Sequence, residues 1–304
     1  MKILICSDGM PPADNATRIG GLLAAPLRAT VTLLGIAERP DDEQPLRSAL
    51  EAQAKLLQVG GTTPEIAMRR GEPVRQILEQ TSTTNYDLVV IGSRRTGTAG
   101  LYWRSAKTYE VIKSISPPVL VAIGECAQLK SFLVCTGGKQ FIEEAVDLTG
   151  KLAAAVGASV TLLHVLAEPP AIYADLVRLE ENVDRLLESK SELGTNLASQ
   201  KKDLETLGVA AEVRLRHGIV TDQVFAELQA KPYDLIVTGS SRARGMVRHY
   251  IMGDVTRSIL NHASCPVLVA RAGAFAPLRG FWRSLRFLFG RSRQLNQGST
   301  KPES

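Results

Sequence analysis

The sequence predicts an α/β fold built twice, each copy with five parallel strands. Three observations predict it. The first is repetition. Ile3-Leu-Ile-Cys-Ser-Asp-Gly9 matches Phe132-Leu-Val-Cys-Thr-Gly-Gly138, and Ala29–Leu34 aligns with Ala158–Leu163 at the same offset. Tyr86-Asp-Leu-Val-Val-Ile-Gly-Ser93 matches Tyr233-Asp-Leu-Ile-Val-Thr-Gly-Ser240, and Pro118–Ala122 matches Pro266–Ala270. Each copy is long enough to carry a core of its own. The second observation is that runs such as Leu88–Ile91 and Leu235–Thr238 are apolar without alternation, as strands buried on both faces are. The third is that these runs alternate with helical stretches, the pattern of βαβ units.

In the first copy the strands are expected at Ile3–Cys6, Thr30–Ile36, Glu65–Arg69, Leu88–Ile91 and Val119–Ile123. In the second they are expected at Phe132–Cys135, Ser159–Leu166, Glu212–Arg216, Leu235–Thr238 and Val267–Ala270. Between the second and third strands the first copy has a helix at about residues 42–60. The second copy has there a longer charged amphipathic stretch, Ala171–Leu207. Further helices follow Gly71-Glu72-Pro73, where Pro73 suits an opening turn, and Gly218-Ile219-Val220. The domains are therefore expected at 1–124 and 129–272, with a tail at 273–304.

Composition is that of an ordinary globular chain, 44% hydrophobic and 22% charged. No apolar run reaches the roughly 20 residues that span a bilayer. The first residues run straight into a strand rather than a signal peptide, so a cytoplasmic location is expected. Four cysteines in 304 residues do not make a disulfide framework, and Cys6 and Cys135 fall inside apolar strands as small hydrophobes. The net charge of +5 is unevenly placed. Residues 271–304 hold seven basic side chains against one acid, +6 in all, which leaves the body at −1. A body of that charge excludes a basic nucleic-acid-gripping surface.

The opening strand with its following Asp8, the second strand ending Leu162-Leu-His-Val165, the Tyr-Asp-Leu-Ile-Val-x-Gly-Ser passage and the closing Cys265-Pro-Val-Leu-Val269 together resemble the universal stress protein family in its tandem form. The resemblance covers about 270 residues in both copies. It implies two doubly wound, Rossmann-like five-stranded domains of strand order 3-2-1-4-5, related to the adenine nucleotide alpha hydrolases. It also implies that the two copies meet along their last strands as an intramolecular pseudo-dimer.

The nucleotide-binding branch of that family carries Gly-x2-Gly-x9-Gly-Ser/Thr after the fourth strand. Glycines let the backbone approach phosphates, and amide groups at the helix N-terminus hold the anion. Neither copy satisfies the pattern. The first reads Gly92-Ser-Arg-Arg95, with Ser105 and Ala106 where glycine and hydroxyl belong. The second reads Gly239-Ser240-Ser-Arg242, and its last pair, Gly253-Asp254, comes one residue late and sets a carboxylate beside the phosphate. Gly245 partly stands in for the missing glycine. The first copy keeps Asp8, where the second has Gly137. By this resemblance the cofactor-contacting residues are Asp8, Gly92, Arg95, Val165, Gly239, Ser240, Gly245 and Gly253. The cofactor is ATP, bound weakly or lost. Arg94, Arg95, Arg242 and Arg244 either contact phosphate by charge or form a solvated loop, and the sequence leaves both open. The short Thr136-Gly-Gly138 run is similar to the Ser-Gly-Gly loop of pyrophosphate-releasing enzymes but lacks its Asp-Ser and reads as a turn.

His164, His217, His249 and His262 have no metal-ligand spacing, and no nucleophile–base pair stands in the sequence. His164 is expected to be a hydrogen-bonded core residue. In the tail, Leu278, Phe281, Trp282, Leu285, Leu288 and Phe289 fall within an arc of about 120° on a helix, with Arg279, Arg283, Arg286 and Arg293 opposite. Such a helix either lies on an anionic membrane through residues 278–293 or docks on the protein's own domains. Residues 294–304 read as disordered. The expected function is a binding and regulatory module of the stress response, not an enzyme, with an unidentified protein partner. The alternatives are an ATP-binding switch with slow hydrolysis and a membrane-surface adaptor.

Overall fold

The computed structural model describes residues 1–9, 11–92, 95–96, 103–104, 106–137, 143–167, 183–242 and 250–271. The first copy comprises β1 (Lys2–Ser7), α1 (Pro11–Ala24), β2 (Thr30–Ala37), a 3-10 turn (Pro40–Asp42), α2 (Glu43–Val59), β3 (Glu65–Arg70), α3 (Pro73–Thr83), β4 (Leu88–Gly92), β5 (Arg95–Thr96), β6 (Trp103–Arg104), α4 (Ala106–Ser114) and β7 (Val119–Ala122). The second comprises β8 (Ser131–Thr136), α5 (Glu143–Val156), β9 (Ser159–Leu166), α6 (Val183–Glu188), α7 (Glu192–Thr206), β10 (Ala211–His217), α8 (Val220–Ala230), β11 (Leu235–Arg242), β12 (Tyr250–Ile251), α9 (Asp254–His262) and β13 (Val267–Arg271). The tail beyond residue 271, Gly245, Arg94, Arg244 and His249 lie outside the described residues.

The strands order β3-β2-β1-β4-β7, continue across a seam, and run β13-β11-β8-β9-β10. Each copy thus has the order 3-2-1-4-5. Neighbours within a copy are parallel along this path. At the seam β7 and β13 pair antiparallel, with Leu120 opposite Leu268 and Val121 opposite Val267. The pairing covers the open side of both last strands, which would otherwise present unpaired backbone groups.

Alternation along each strand assigns side chains to two faces. One face buries Ile5, Leu33 and Val90 under α1 and α2, and Val134, Leu162 and Val237 under α5 and α7. The other buries Leu4 and Val89 under α3 and α4, and Leu133 and Ile236 under α8 and α9. Both apolar layers continue through the seam. Each fully buried Leu or Ile contributes about 2 kcal/mol.

The recurring Tyr-Asp pair has a structural reason. The Asp87 carboxylate accepts the Lys2 N–H at 2.7 Å, and that of Asp234 accepts those of Lys130 and Ser131 at 2.7 and 3.0 Å. Each acid thereby fixes the start of a first strand. Tyr86 accepts from Gln80 of α3 at 2.8 Å, while Tyr233 donates to Glu227 of α8 at 2.8 Å. The pairs Arg69–Gln80 and Arg216–Glu227, both at 2.8 Å, complete the same pin at the two edge strands.

The amphipathic stretch expected at Ala171–Leu207 is not one helix, and its residues 171–182 lie outside the described chain. The rest breaks at Ser189–Ser191, where Ser hydroxyls compete for backbone groups. Ser189 Oγ donates to the Leu186 carbonyl at 2.7 Å, and Ser191 Oγ accepts the Gly194 N–H at 3.1 Å, capping α7. Gly194 is required, because a Cβ there would lie 2.1 Å from the Leu186 oxygen.

The candidate nucleotide site

Parallel strands bring their carboxyl ends to one edge of the sheet. The chain runs outward from β1 through β2 to β3, then returns to β4. The crevice between β1 and β4, and likewise between β8 and β11, is therefore a topological switch point where ligands sit.

In the first copy Cys6 is opposite both Leu34 and Ile91, so Asp8, exposed two residues further on, stands at the crevice mouth. Gly92 ends β4 opposite Ala122. Arg95 begins a short hairpin, with its backbone paired to Arg104 of β6. The helix that should receive phosphate is α4. Its second residue, Lys107, donates to Glu38, the residue after β2, at 2.8 Å. This exposed pair crosses from β2 to the helix N-terminus. Glu72, which caps α3 through the Val74 and Arg75 N–H groups, also feels Lys107. Desolvation pushes its carboxyl up, but those two N–H donors and the Lys107 charge prevail and hold it below the ordinary value.

In the second copy Thr136 ends β8 opposite His164, and Val165 lies half-buried opposite Arg216. His164 is buried, with Nδ1 2.9 Å from the Thr136 carbonyl. A carbonyl only accepts, so Nδ1 carries the proton. Gln200 of α7 accepts from the Thr136 hydroxyl at 3.2 Å. Gly239 is exposed opposite Ala270, and Ser240 pairs with Arg271. β11 does not stop at Thr238. It runs on to Arg242 and folds back onto β12, with Ser241 opposite Ile251. The loop expected after the strand is thus in part a hairpin, because the extended Gly-Ser-Ser-Arg run finds a partner. Gly253 caps α9 in an extended conformation (φ −65°, ψ 163°) with no side-chain cap. It is exposed, as is Asp254, the first helical residue.

A chain of hydroxyls ties this helix to the strand. Thr256 donates to the Gly239 carbonyl at 3.1 Å, which leaves Thr238 to donate to Thr256 at 2.8 Å. Both threonines are buried. The first copy keeps the equivalent of Thr256 as Thr108, but has Ile91 at the place of Thr238.

The expected site residues therefore divide between two places. Asp8, Gly92 and Arg95 belong to the first crevice, and Val165, Gly239, Ser240 and Gly253 to the second. No motif announces the Lys107–Glu38 pair. The one trace of the Thr238–Thr256 link in the sequence is the shared threonine at 108 and 256. Burial pushes the half-buried Cys6 and Cys135 thiols up to about 12, so neither is a thiolate at neutral pH. Among the described residues no group of three His, Cys, Asp or Glu side chains is placed to hold a metal, and no helix is long and apolar enough to cross a membrane.

Comparison with known proteins agrees with this architecture. The model of the Universal stress protein family matches residues 1–122 and again 128–271. Universal stress protein MJ0531 of Methanocaldococcus jannaschii is 27% identical over 142 residues, 47% of this chain and 82% of that protein. Universal stress protein YxiE of Bacillus subtilis is 26% identical over 144 residues, 46% of this chain and 97% of that protein. A universal stress protein structure from Archaeoglobus fulgidus superimposes with a TM-score of 0.67 at 15% identity, covering 90% of this chain and 98% of that one; at that identity the likeness concerns the fold. The chain belongs to the universal stress protein family and carries the family's domain twice.

Proposed function

We propose that the protein is a non-catalytic binding and regulatory module of the stress response, and that its adenine-nucleotide site is in the second copy. The observation that carries this reading is the difference between the two helix N-termini. At α9 the cap is an exposed glycine that makes no side-chain cap hydrogen bond, and Thr256 holds the helix to Gly239. At α4 the first turn carries Lys107, already engaged by Glu38. Asp254 repels phosphate at the open end, so the second site binds ATP weakly. Thermal unfolding with increasing Mg-ATP tests this. A ligand of the folded state raises the midpoint with concentration. A midpoint unmoved at millimolar Mg-ATP would remove the reading, and steady phosphate release would favour a slow ATPase switch instead.

A second reading, a reversible membrane-surface adaptor, rests on the basic tail. Arg271 belongs to the fold rather than to the tail, since its side chain is 2% exposed. Six basic residues against one acid remain beyond it, next to Phe281, Trp282 and Phe289. Co-sedimentation with anionic vesicles should be salt-sensitive and lost on truncation after residue 272. Equal pelleting of full and truncated chains would end this reading.

A further inference from the structure

Tyr109 lies on α4 of the first copy, yet it makes two contacts with α9 of the second. Its hydroxyl donates to Asn261 Oδ1, and its ring lies 6.0 Å from the guanidinium carbon of Arg257. Arg257 and Asn261 are one turn apart on one face of α9, so a single side chain meets two successive turns. Tyr109 and Arg257 are equivalent positions of the repeat, and Lys113 is the equivalent of Asn261. The contact therefore has no mirror image. Backbone contacts follow the same exchange: β6 of the first copy lies against α9, and β12 of the second lies against α4.

We propose that Tyr109 is a positioning residue for the second copy's nucleotide site, setting α9 from across the seam. This rests on the proposed function above. Backbone amides bind an anion only if the helix end stays within a fraction of an ångström of its place. The α9 end is held from below by Thr256 and from the side by Tyr109. Tyr109 touches no ligand; it acts through the helix.

The test uses the full chain with Tyr109→Phe and Tyr109→Ala. Three quantities are measured: Mg-ATP affinity by calorimetry, hydrogen exchange of the helix-bonded amides 257–262 without ligand, and the unfolding midpoint. Tyr109→Ala should weaken Mg-ATP roughly fivefold and speed exchange in the first turns of α9. Tyr109→Phe, which keeps the ring over Arg257, should fall between the two. A lowered midpoint with unchanged affinity and unchanged exchange at 257–262 would show a merely structural contact and overturn the proposal. If the unsubstituted chain does not bind Mg-ATP, the functional reading fails, and the exchange measurement alone decides whether Tyr109 positions α9.

Discussion

The Arg271 guanidinium of β13 is buried in the first copy, with Nε 3.1 Å from the Pro117 carbonyl oxygen. Its Nη2 donates to the Ile115 carbonyl at 3.1 Å and also to that of Ile112. Ile112 lies in the last turn of α4 and Ile115 directly follows the helix, where the helix dipole favours a cation. The first copy has Ile123 at the equivalent place. The opposite side of the seam is closed by backbone instead. Gly124 turns with φ +65°, and a Cβ there would stand 2.1 Å from the Ser264 oxygen.

Replacing Arg271 by Met should lower stability by about 2–4 kcal/mol, because three buried carbonyls lose their donor. Equilibrium denaturation of the full chain measures it. A loss under about 0.5 kcal/mol, typical of a surface site, would show that the buried cation is not what ties β13 to α4.

Glu227 and Gln80 perform one task in the two copies, which makes Glu227→Gln a mild change and Glu227→Ala a severe one. Alanine should cost about 3 kcal/mol, since Arg216 and Tyr233 lose their common partner. The pH dependence has a sign. Burial pushes the Glu227 carboxyl up, but the Tyr233 hydroxyl, the Arg216 hydrogen bond and the charges of Arg214 and Arg216 prevail and hold it below its ordinary value of 4.5. A depressed folded pKa contributes stability that is present above 4.5 and lost as pH falls through the lower folded value. Acid unfolding should therefore be less steep in Glu227→Gln. Identical acid profiles would contradict this account of the pin.

Thr256→Val removes the donor to Gly239 while keeping the shape. Stability should fall by about 1 kcal/mol, and Mg-ATP affinity should fall several-fold, with Thr256→Ser restoring both. Titration calorimetry beside denaturation separates the two effects. Unchanged affinity in a destabilised valine variant would place the hydroxyl chain in the core alone.

Much of this fold is legible in the sequence. Two faces of burial leave unbroken runs such as Leu88–Ile91, so strand positions emerge from hydropathy, and the repeat doubles every observation. The family resemblance supplies the order 3-2-1-4-5. What the sequence hides is long-range and local in equal measure. Arg271 reads as part of a basic tail because no one-dimensional pattern shows that its strand ends under α4. The break before α7 depends on three residues, Ser189–Ser191, inside an otherwise continuous amphipathic run. The extension of β11 beyond Thr238 depends on pairing with β13 at Gly239 and Ser240 and with β12 at Ser241 and Arg242. The glycine pattern singles out Gly239 and Gly253 as expected contacts, but the Thr238–Thr256 link and the Tyr109 contact exist only once strands and helices are assembled.

Mg-ATP titration of the full chain and of Asp254→Ser decides whether the second copy holds a weak nucleotide site limited by Asp254. The unsubstituted chain should bind weakly and Asp254→Ser more tightly, as the carboxylate leaves the helix N-terminus and a hydroxyl donor replaces it. Tight binding by the unsubstituted chain that Asp254→Ser weakens would contradict this.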